Sequence, residues 1–373
     1  MQSLDLSLRG VNLAHEKNWL VISGDPGNSR RAEKGGKQTR FETDTTRTES
    51  ISQWTAGCVD MIGGKDLYDC IVVGAGPAGL SASLFLARYR RSILTFHHNS
   101  PRNEYAHGVH GFLGHHGISP AELLARGRDE VTTHGGLIIE ACVTGIERIS
   151  SEQFRVYAGD GNDDPRTFDA RRVLLATGLR DVTPDCPGFR DFYGVSVHHC
   201  PDCDGYECID KRIAVLGNGT KTVGFALSLL TWTNTITVIN EDKDGLNKDD
   251  RAKLAAFQIN VRDQSIKALD GDSKSKQLQR VIFSTGDALE CDGLFFNLGT
   301  EPASNLHEML GCKLDEDCGL VWVDQTRQTS VAGVYAAGDI TPNSQLAIVA
   351  AAEGAMAAIH IHDSLIPSEL KPK

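Results

Sequence analysis

The chain has 373 residues, 40% hydrophobic and 6% aromatic, enough to bury a substantial core and more than a minimal disulfide-stapled scaffold needs. Its formal net charge is −11, and Lys and Arg are scattered apart from pairs such as Arg30-Arg31 and Arg171-Arg172, which excludes the basic face a nucleic acid or anionic membrane requires. The apolar run Leu346 to Ala352 ends at Glu353, far short of the roughly 20 residues that span a bilayer.

Residues 1–65 are rich in Ser, Thr, Gly, Arg and acids, with no sustained period of a strand or helix, and are expected to form a mostly disordered extension. The texture changes at Asp69. An apolar strand, Cys70-Ile71-Val72-Val73, runs into Gly74-Ala75-Gly76-Pro77-Ala78-Gly79, then a helical pattern through Leu84, Leu86 and Ala87, then a strand from Ser92 to Phe96. In this context Gly74 makes the turn, Gly76 lets a pyrophosphate approach the backbone and Gly79 lets the helix pack closely, with Pro77 and Ala78 opening a helix whose N-terminus favours an anion. The following strand ends Phe96-His97-His98-Asn99, without the acid that usually holds a ribose.

The stretch around His107, His110, His115 and His116 is rich in glycine. The spacing lacks a paired carboxylate or cysteine, so the stretch reads as a loop packed against a cofactor and not as a metal site. Ser119-Pro120-Ala121-Glu122 has the spacing of a capping box and opens a helix. A strand at Val173-Leu174-Leu175 leads into Ala176-Thr177-Gly178.

Cys200 and Cys203 flank Pro201-Asp202. Two-residue spacing lets a dithiol close at the start of a helix, where the first thiol becomes the better nucleophile. A zinc reading fails for want of a second well-spaced pair, since Cys312 and Cys318 are too far apart and His198 and His199 adjoin the first cysteine. Asp204 follows at once as a proton relay or a solvated acid, His199 is a less specific alternative, and Cys208 has no evident role. Ten cysteines without the spacing of a secreted module, and no apolar leader, point to a reducing cytoplasm.

Ile213-Ala214-Val215-Leu216 repeats the strand, followed by Gly217-Asn218-Gly219, a helix through Ala226 and Leu229, and a strand from Thr235 to Ile239. Thr222 replaces the third glycine or alanine, and Asn240-Glu241-Asp242 puts acids where a 2′-phosphate wants arginines. Three outcomes stay open for Gly217 and Gly219: NADH, weakly held NADPH, or a scaffold. Finally Gly333-Val334-Tyr335-Ala336-Ala337-Gly338-Asp339 enters a glycine turn before an alanine-rich helix from about Gln345 to His360, whose N-terminus would stabilise charge on a reduced ring.

The order GAGPAG, ATG, CxxCDG and GVYAAGD resembles the low-molecular-weight thioredoxin reductase group of FAD-dependent pyridine nucleotide-disulfide oxidoreductases, over about residues 66–365. The resemblance implies an α/β fold of two Rossmann-like domains, the second inserted into the first: an FAD domain from residues 66–185 and 292–373 and an inserted NAD(P)-like domain over 186–291 carrying the dithiol. It implies that Gly74, Gly76, Pro77, Ala78, Gly79, Ala176, Thr177, Gly178, Gly338, Asp339, Gln345, Leu346 and Ala347 bind FAD, that Cys203 faces the flavin, that Cys200 attacks a partner disulfide such as that of thioredoxin, and that Asp204 relays the proton. A homodimer is implied as well. Domain rotation would be required, because one flavin face cannot meet both nicotinamide and partner. The chain departs from the group in lacking a basic 2′-phosphate run and in having Gln345 where an arginine is expected. Those departures keep alternatives open: a ferredoxin-linked reductase, an oxygen-coupled oxidase of small dithiols, or a flavin-bound redox sensor.

Overall fold

A computed structural model describes residues 67–159, 166–242 and 245–371. The expected N-terminal extension lies outside them.

Strand β1 (Tyr68–Val73) is buried along almost its whole length, and its alternate residues serve two different cores. Ile71 and Val73 join the cluster on one face of a sheet, while Cys70 and Val72 join the cluster on the other. Such near-continuous burial is what a parallel strand covered on both faces requires. Helix α1 (Pro77–Arg88), strand β2 (Ile93–His97), helix α2 (Pro120–Thr133) and β3 (Leu137–Glu140) continue the unit, with β3, β2 and β1 parallel. Ser119 caps α2 by accepting from the Glu122 N–H. An antiparallel ribbon, β4 (Cys142–Ser150) and β5 (Gln153–Gly159), leads to β6 (Arg166–Leu175), whose first half pairs with β5 and whose last three residues pair on that side with β17 (Val334–Ala336), near the chain's other end. The last helix, α8, runs Ala347–Ser364, two residues later at its start and four at its end than the sequence pattern indicates.

Between these pieces come β7 (Leu179–Asp181), α3 (Phe189–Phe192), β8 (Val197–His198), α4 (Pro201–Asp204), β9 (Ile213–Gly217), α5 (Thr220–Ser228), β10 (Ile236–Ile239), α6 (Lys248–Ala256) and β11 (Asn260–Arg262). A small antiparallel sheet of β12 (Ile266–Asp272), β13 (Gln277–Phe283) and β14 (Ala288–Glu290) follows, then β15 (Gly293–Asn297), β16 (Thr300–Pro302) and α7 (Leu306–Met309). The second sheet is parallel, in the order β11-β10-β9-β15-β8. Strand β9 repeats the logic of β1: Ile213 and Val215 enter one core, Ala214 and Leu216 the other.

The fold is therefore α/β with two Rossmann-like units, the second inserted into the first. One boundary moves. Strand β15 lies beyond the expected limit at residue 291, yet pairs with both β9 and β8, so the second sheet extends to Asn297. The antiparallel pair β7 and β16 joins the two connections.

Candidate functional site

A cleft of about 540 Å³ is walled by the first glycine turn (Gly74, Gly76, Pro77, Ala78), the end of β2 (His97, His98, Asn99), Ala176 to Gly178, the Gly338-Asp339 turn, and Gln345, Leu346 and Ala347. Cys203 and Asp204 of the inserted half line the same cleft, whereas Cys200, Gly79, Gly217 and Gly219 do not. The glycines have distinct physical jobs. A methyl group on Gly74, at φ +108°, would lie 2.2 Å from the Ala176 carbonyl oxygen, and one on Gly79 would lie 1.8 Å from the Gly74 oxygen, so both are demanded by close packing. One on Gly76 would meet no protein atom within 4 Å. Gly76 is also the N-cap of α1 and offers no capping side chain, so the first amides of that helix are left for a ligand in the cleft.

The Gly338-Asp339 turn is held from behind by Glu353, which is buried on α8. Its Oε2 accepts from the Gly338 N–H and the Thr341 hydroxyl, both at 2.8 Å, while Oε1 meets Arg327 at 3.1 Å and Asn343. Asp339 itself faces Arg102 at 3.0 Å. Arg102 also donates to Gln345 Oε1 at 2.7 Å and to Asp181 Oδ1 at 2.5 Å. A guanidinium thus reaches Gln345, but from residue 102 and not from the residue before the last helix. Burial alone would raise the Asp181 carboxyl; Arg102, His199 and the Tyr193 hydroxyl outweigh it and hold the group below its ordinary range. Sequence reasoning missed Arg102, Asp181, Tyr193 and Glu353, whose partners are brought to them by the fold and not by a local motif.

Cys200 and Cys203 form a disulfide. Cys200 is the N-cap of α4, and its Sγ accepts from the Cys203 N–H at 3.1 Å. Helix α4 has only four residues, so any dipole effect on the first thiol is that of a single turn. Asp204 is not a solvated acid: its side chain is 18% exposed, and its Oδ2 lies 3.4 Å from Nδ1 of the buried His198. Burial disfavours a charge on His198, yet hydrogen bonds to Asp204 and Cys208 prevail and carry its pKa up to about 9. Cys208, without a role on sequence grounds, is therefore part of this arrangement. His199 behaves oppositely, since burial and the nearby Arg102 keep it below the ordinary value despite Asp181.

The second glycine turn is more enclosed. A methyl on Gly217 would lie 2.5 Å from Thr222 Oγ1, and that buried hydroxyl has no hydrogen-bond partner. One on Gly245 would come within 3.3 Å of the Gly219 nitrogen, so the loop after β10 lies against the turn. Glu241 accepts from the Ile266 N–H at 2.8 Å, and Arg251 is bound to Asp263 at 2.7 and 2.9 Å.

The sequence model for "pyridine nucleotide-disulphide oxidoreductase" matches residues 68–354. The chain belongs to this family. Within it, the chain is 30% identical over 311 residues to the thioredoxin reductase of Treponema pallidum, covering 78% of this chain and 95% of that protein. It is 27% identical over 304 residues to the Bacillus subtilis thioredoxin reductase, covering 79% and 93%. Among solved structures it resembles HlmI, with TM-score 0.75, 33% identity and coverage of 80% and 92%, and an oxidoreductase from Agrobacterium tumefaciens, with TM-score 0.72, 30% identity and coverage of 80% and 98%.

This pyridine nucleotide-disulphide oxidoreductase is an enzyme, an FAD-dependent disulfide oxidoreductase of the thioredoxin reductase type. The family implies FAD and a pyridine nucleotide. The cleft residues fit FAD: Gly76 leaves room for a pyrophosphate, the uncapped N-termini of α1 and α8 face the cleft, and Arg128 adds a cation to its wall. Beside the second turn Glu241 and Asp242 follow β10, and Arg251 is paired with the Asp263 carboxylate. Among the described residues no helix is long and apolar enough to cross a membrane.

Proposed function

We propose that the enzyme reduces the disulfide of thioredoxin or a similar partner, with Cys200 as the attacking thiol and Cys203 as the thiol that exchanges electrons with the flavin. The observation that carries this reading is the asymmetry of the pair, in which Cys203 lines the cleft and Cys200 does not. Bound flavin, once reduced by the donor, would supply the two electrons and be reoxidised as the Cys200–Cys203 disulfide opens to the dithiol. The Cys200 thiolate then attacks one sulfur of the partner disulfide, forming a mixed disulfide and expelling the other partner sulfur as a thiolate, which takes a proton. Cys203 attacks Cys200 Sγ, restoring the internal disulfide and releasing the second partner thiolate. Asp204, 3.4 Å from His198 Nδ1, favours the protonated imidazole against its burial, and the pair holds the proton this exchange needs.

Arg102 orients Asp339 toward the flavin's side chain, and Gly74, Gly76, Pro77, Ala78 and Ala176 to Gly178 wall its remaining length. The carboxylates beside the second turn favour NADH over NADPH as the nucleotide donor. The enzyme acts in the cytoplasm as a homodimer; seven free cysteines among the described residues suit a reducing compartment.

An anaerobic titration tests the reading. The visible flavin band is followed as NADPH, NADH, reduced ferredoxin and a small dithiol are added in turn, and oxidised thioredoxin is then supplied. Bleaching by any donor followed by recovery on adding thioredoxin, lost in Cys200→Ser, is the expected result. Recovery with oxygen but not with thioredoxin would assign the protein instead to small-dithiol oxidation.

A further inference from the structure

We propose that His110, His116 and Glu207 form a zinc site that clips the glycine-rich loop of the first half to the segment carrying the dithiol. One ligand atom from each residue lies within 4.8 Å of the other two. Ligands at roughly 2.1 Å around tetrahedral zinc stand roughly 3.4 Å apart, and His110 Nδ1 is 3.4 Å from Glu207 Oε1 before any ion is considered. The histidine rings are neighbours, with centroids 5.3 Å apart.

A plain ion pair leaves this cluster unsatisfied. His110 Nδ1 and Glu207 Oε2 are both shielded from water, and neither has a hydrogen-bond partner. An orphaned imidazole nitrogen beside an orphaned carboxylate oxygen is costly unless a cation or proton reconciles them. Two imidazoles and one carboxylate with a coordination position left for water is a donor set zinc accepts.

The backbone brings the ligands together without the cation. Val109 and Ile118 form an antiparallel bridge, closed by bonds from Val109 N to Ile118 O at 2.7 Å and from Gly117 N to Val109 O at 2.9 Å, which brings His110 and His116 to the same side of the loop. Glu207 sits on the short turn Tyr206–Cys208 directly after the dithiol helix. A methyl on the intervening Gly205 would lie 2.6 Å from both the Pro201 oxygen and the Trp232 ring, so that connection is tightly packed. The one local loss is the long, exposed 3.3 Å contact from Gly111 N–H to His116 Nδ1. The carboxylate that the spacing of the histidines does not pair in sequence thus comes from residue 207.

Because His110 lines the cleft with Cys203 and Asp204, zinc would pin the dithiol segment in the orientation that faces the cleft. Binding itself does not depend on the proposed reaction. The test is calorimetric titration of ZnCl2 into the full-length, flavin-loaded protein with its disulfide oxidised, in a Cys58→Ser, Cys142→Ser, Cys318→Ser background that removes the exposed free thiols of the described residues and the cysteine outside them. One zinc per chain is expected, with affinity falling roughly tenfold or more in His116→Ala and in Glu207→Gln. Zinc should raise the melting temperature of the background protein and not that of His116→Ala, whose flavin spectrum reports that it is folded. No binding, or equal affinity and equal thermal shift in the background protein and both variants, would overturn the assignment.

Discussion

Arg102 stands 3.0 Å from Asp339, which places one guanidinium between the turn that precedes α8 and the strand carrying Asp181. The side chains involved are 13%, 20% and 5% exposed, so the cation is largely withdrawn from water and both acids depend on it. Removing one partner of such a buried arrangement leaves uncompensated charge. Arg102→Met is expected to cost about 3 kcal/mol in urea unfolding. A loss below about 1 kcal/mol would mean that the carboxylates are solvated as on a surface.

Two glycine substitutions separate ligand binding from packing. Gly76→Ala keeps an ordinary φ of −75° and meets no protein atom, so unfolding should change by no more than about 0.5 kcal/mol while FAD is held less tightly. Gly354→Ala drives a methyl to 2.0 Å from the Ala78 oxygen and should destabilise by about 1–3 kcal/mol. Denaturation curves and flavin retention on a desalting column read both effects. Equal flavin loss in the two proteins would argue against the assignment of Gly76.

The cysteines should fail differently. Cys203→Ser retains the attacking thiol but cannot resolve the mixed disulfide, so a covalent complex with thioredoxin should accumulate on a non-reducing gel. Cys200→Ser should form no such complex under the same conditions. Reversal of that pattern would exchange the two roles.

His198 gives a pH signature. Its folded pKa, about 9, lies above the ordinary histidine value of 6.5, so its contribution to stability is complete below about 6.5 and is lost as pH rises through 9. The melting temperature of the wild type should therefore decline between pH 7 and 9.5 more steeply than that of His198→Gln. Parallel curves would show that His198 is neutral in the folded protein.

The glycine turns, the dithiol and the order of the elements were legible because each is written in a few contiguous residues whose spacing has a mechanical meaning. The limit at residue 291 comes from the resemblance, whereas β15 pairs with β8 and β9; Gly293 to Phe296 are buried, and such a strand carries no local sign of which parallel sheet it joins. The pairing of Asp204 with His198, the reach of Arg102 to Asp181 and Asp339, and the support of Gly338 by Glu353 depend on tertiary contacts. No local period announces them. Thr222 was visible as a misfit in the second turn, but only the packed structure reveals that its hydroxyl is orphaned.

The pairing of β17 with β6 and the seating of Gly354 on Ala78 set the timetable of biosynthesis. The inserted half has its last strand by Asn297, so all the strands of its sheet have been synthesised while the C-terminal helix is still unmade. The opening half must wait, with one flank of β6 and the back of α1 uncovered, until the final helix arrives. Flavin capture is expected to follow the arrival of α8, and truncations that spare every glycine of the first turn but remove α8 are expected to yield apoprotein.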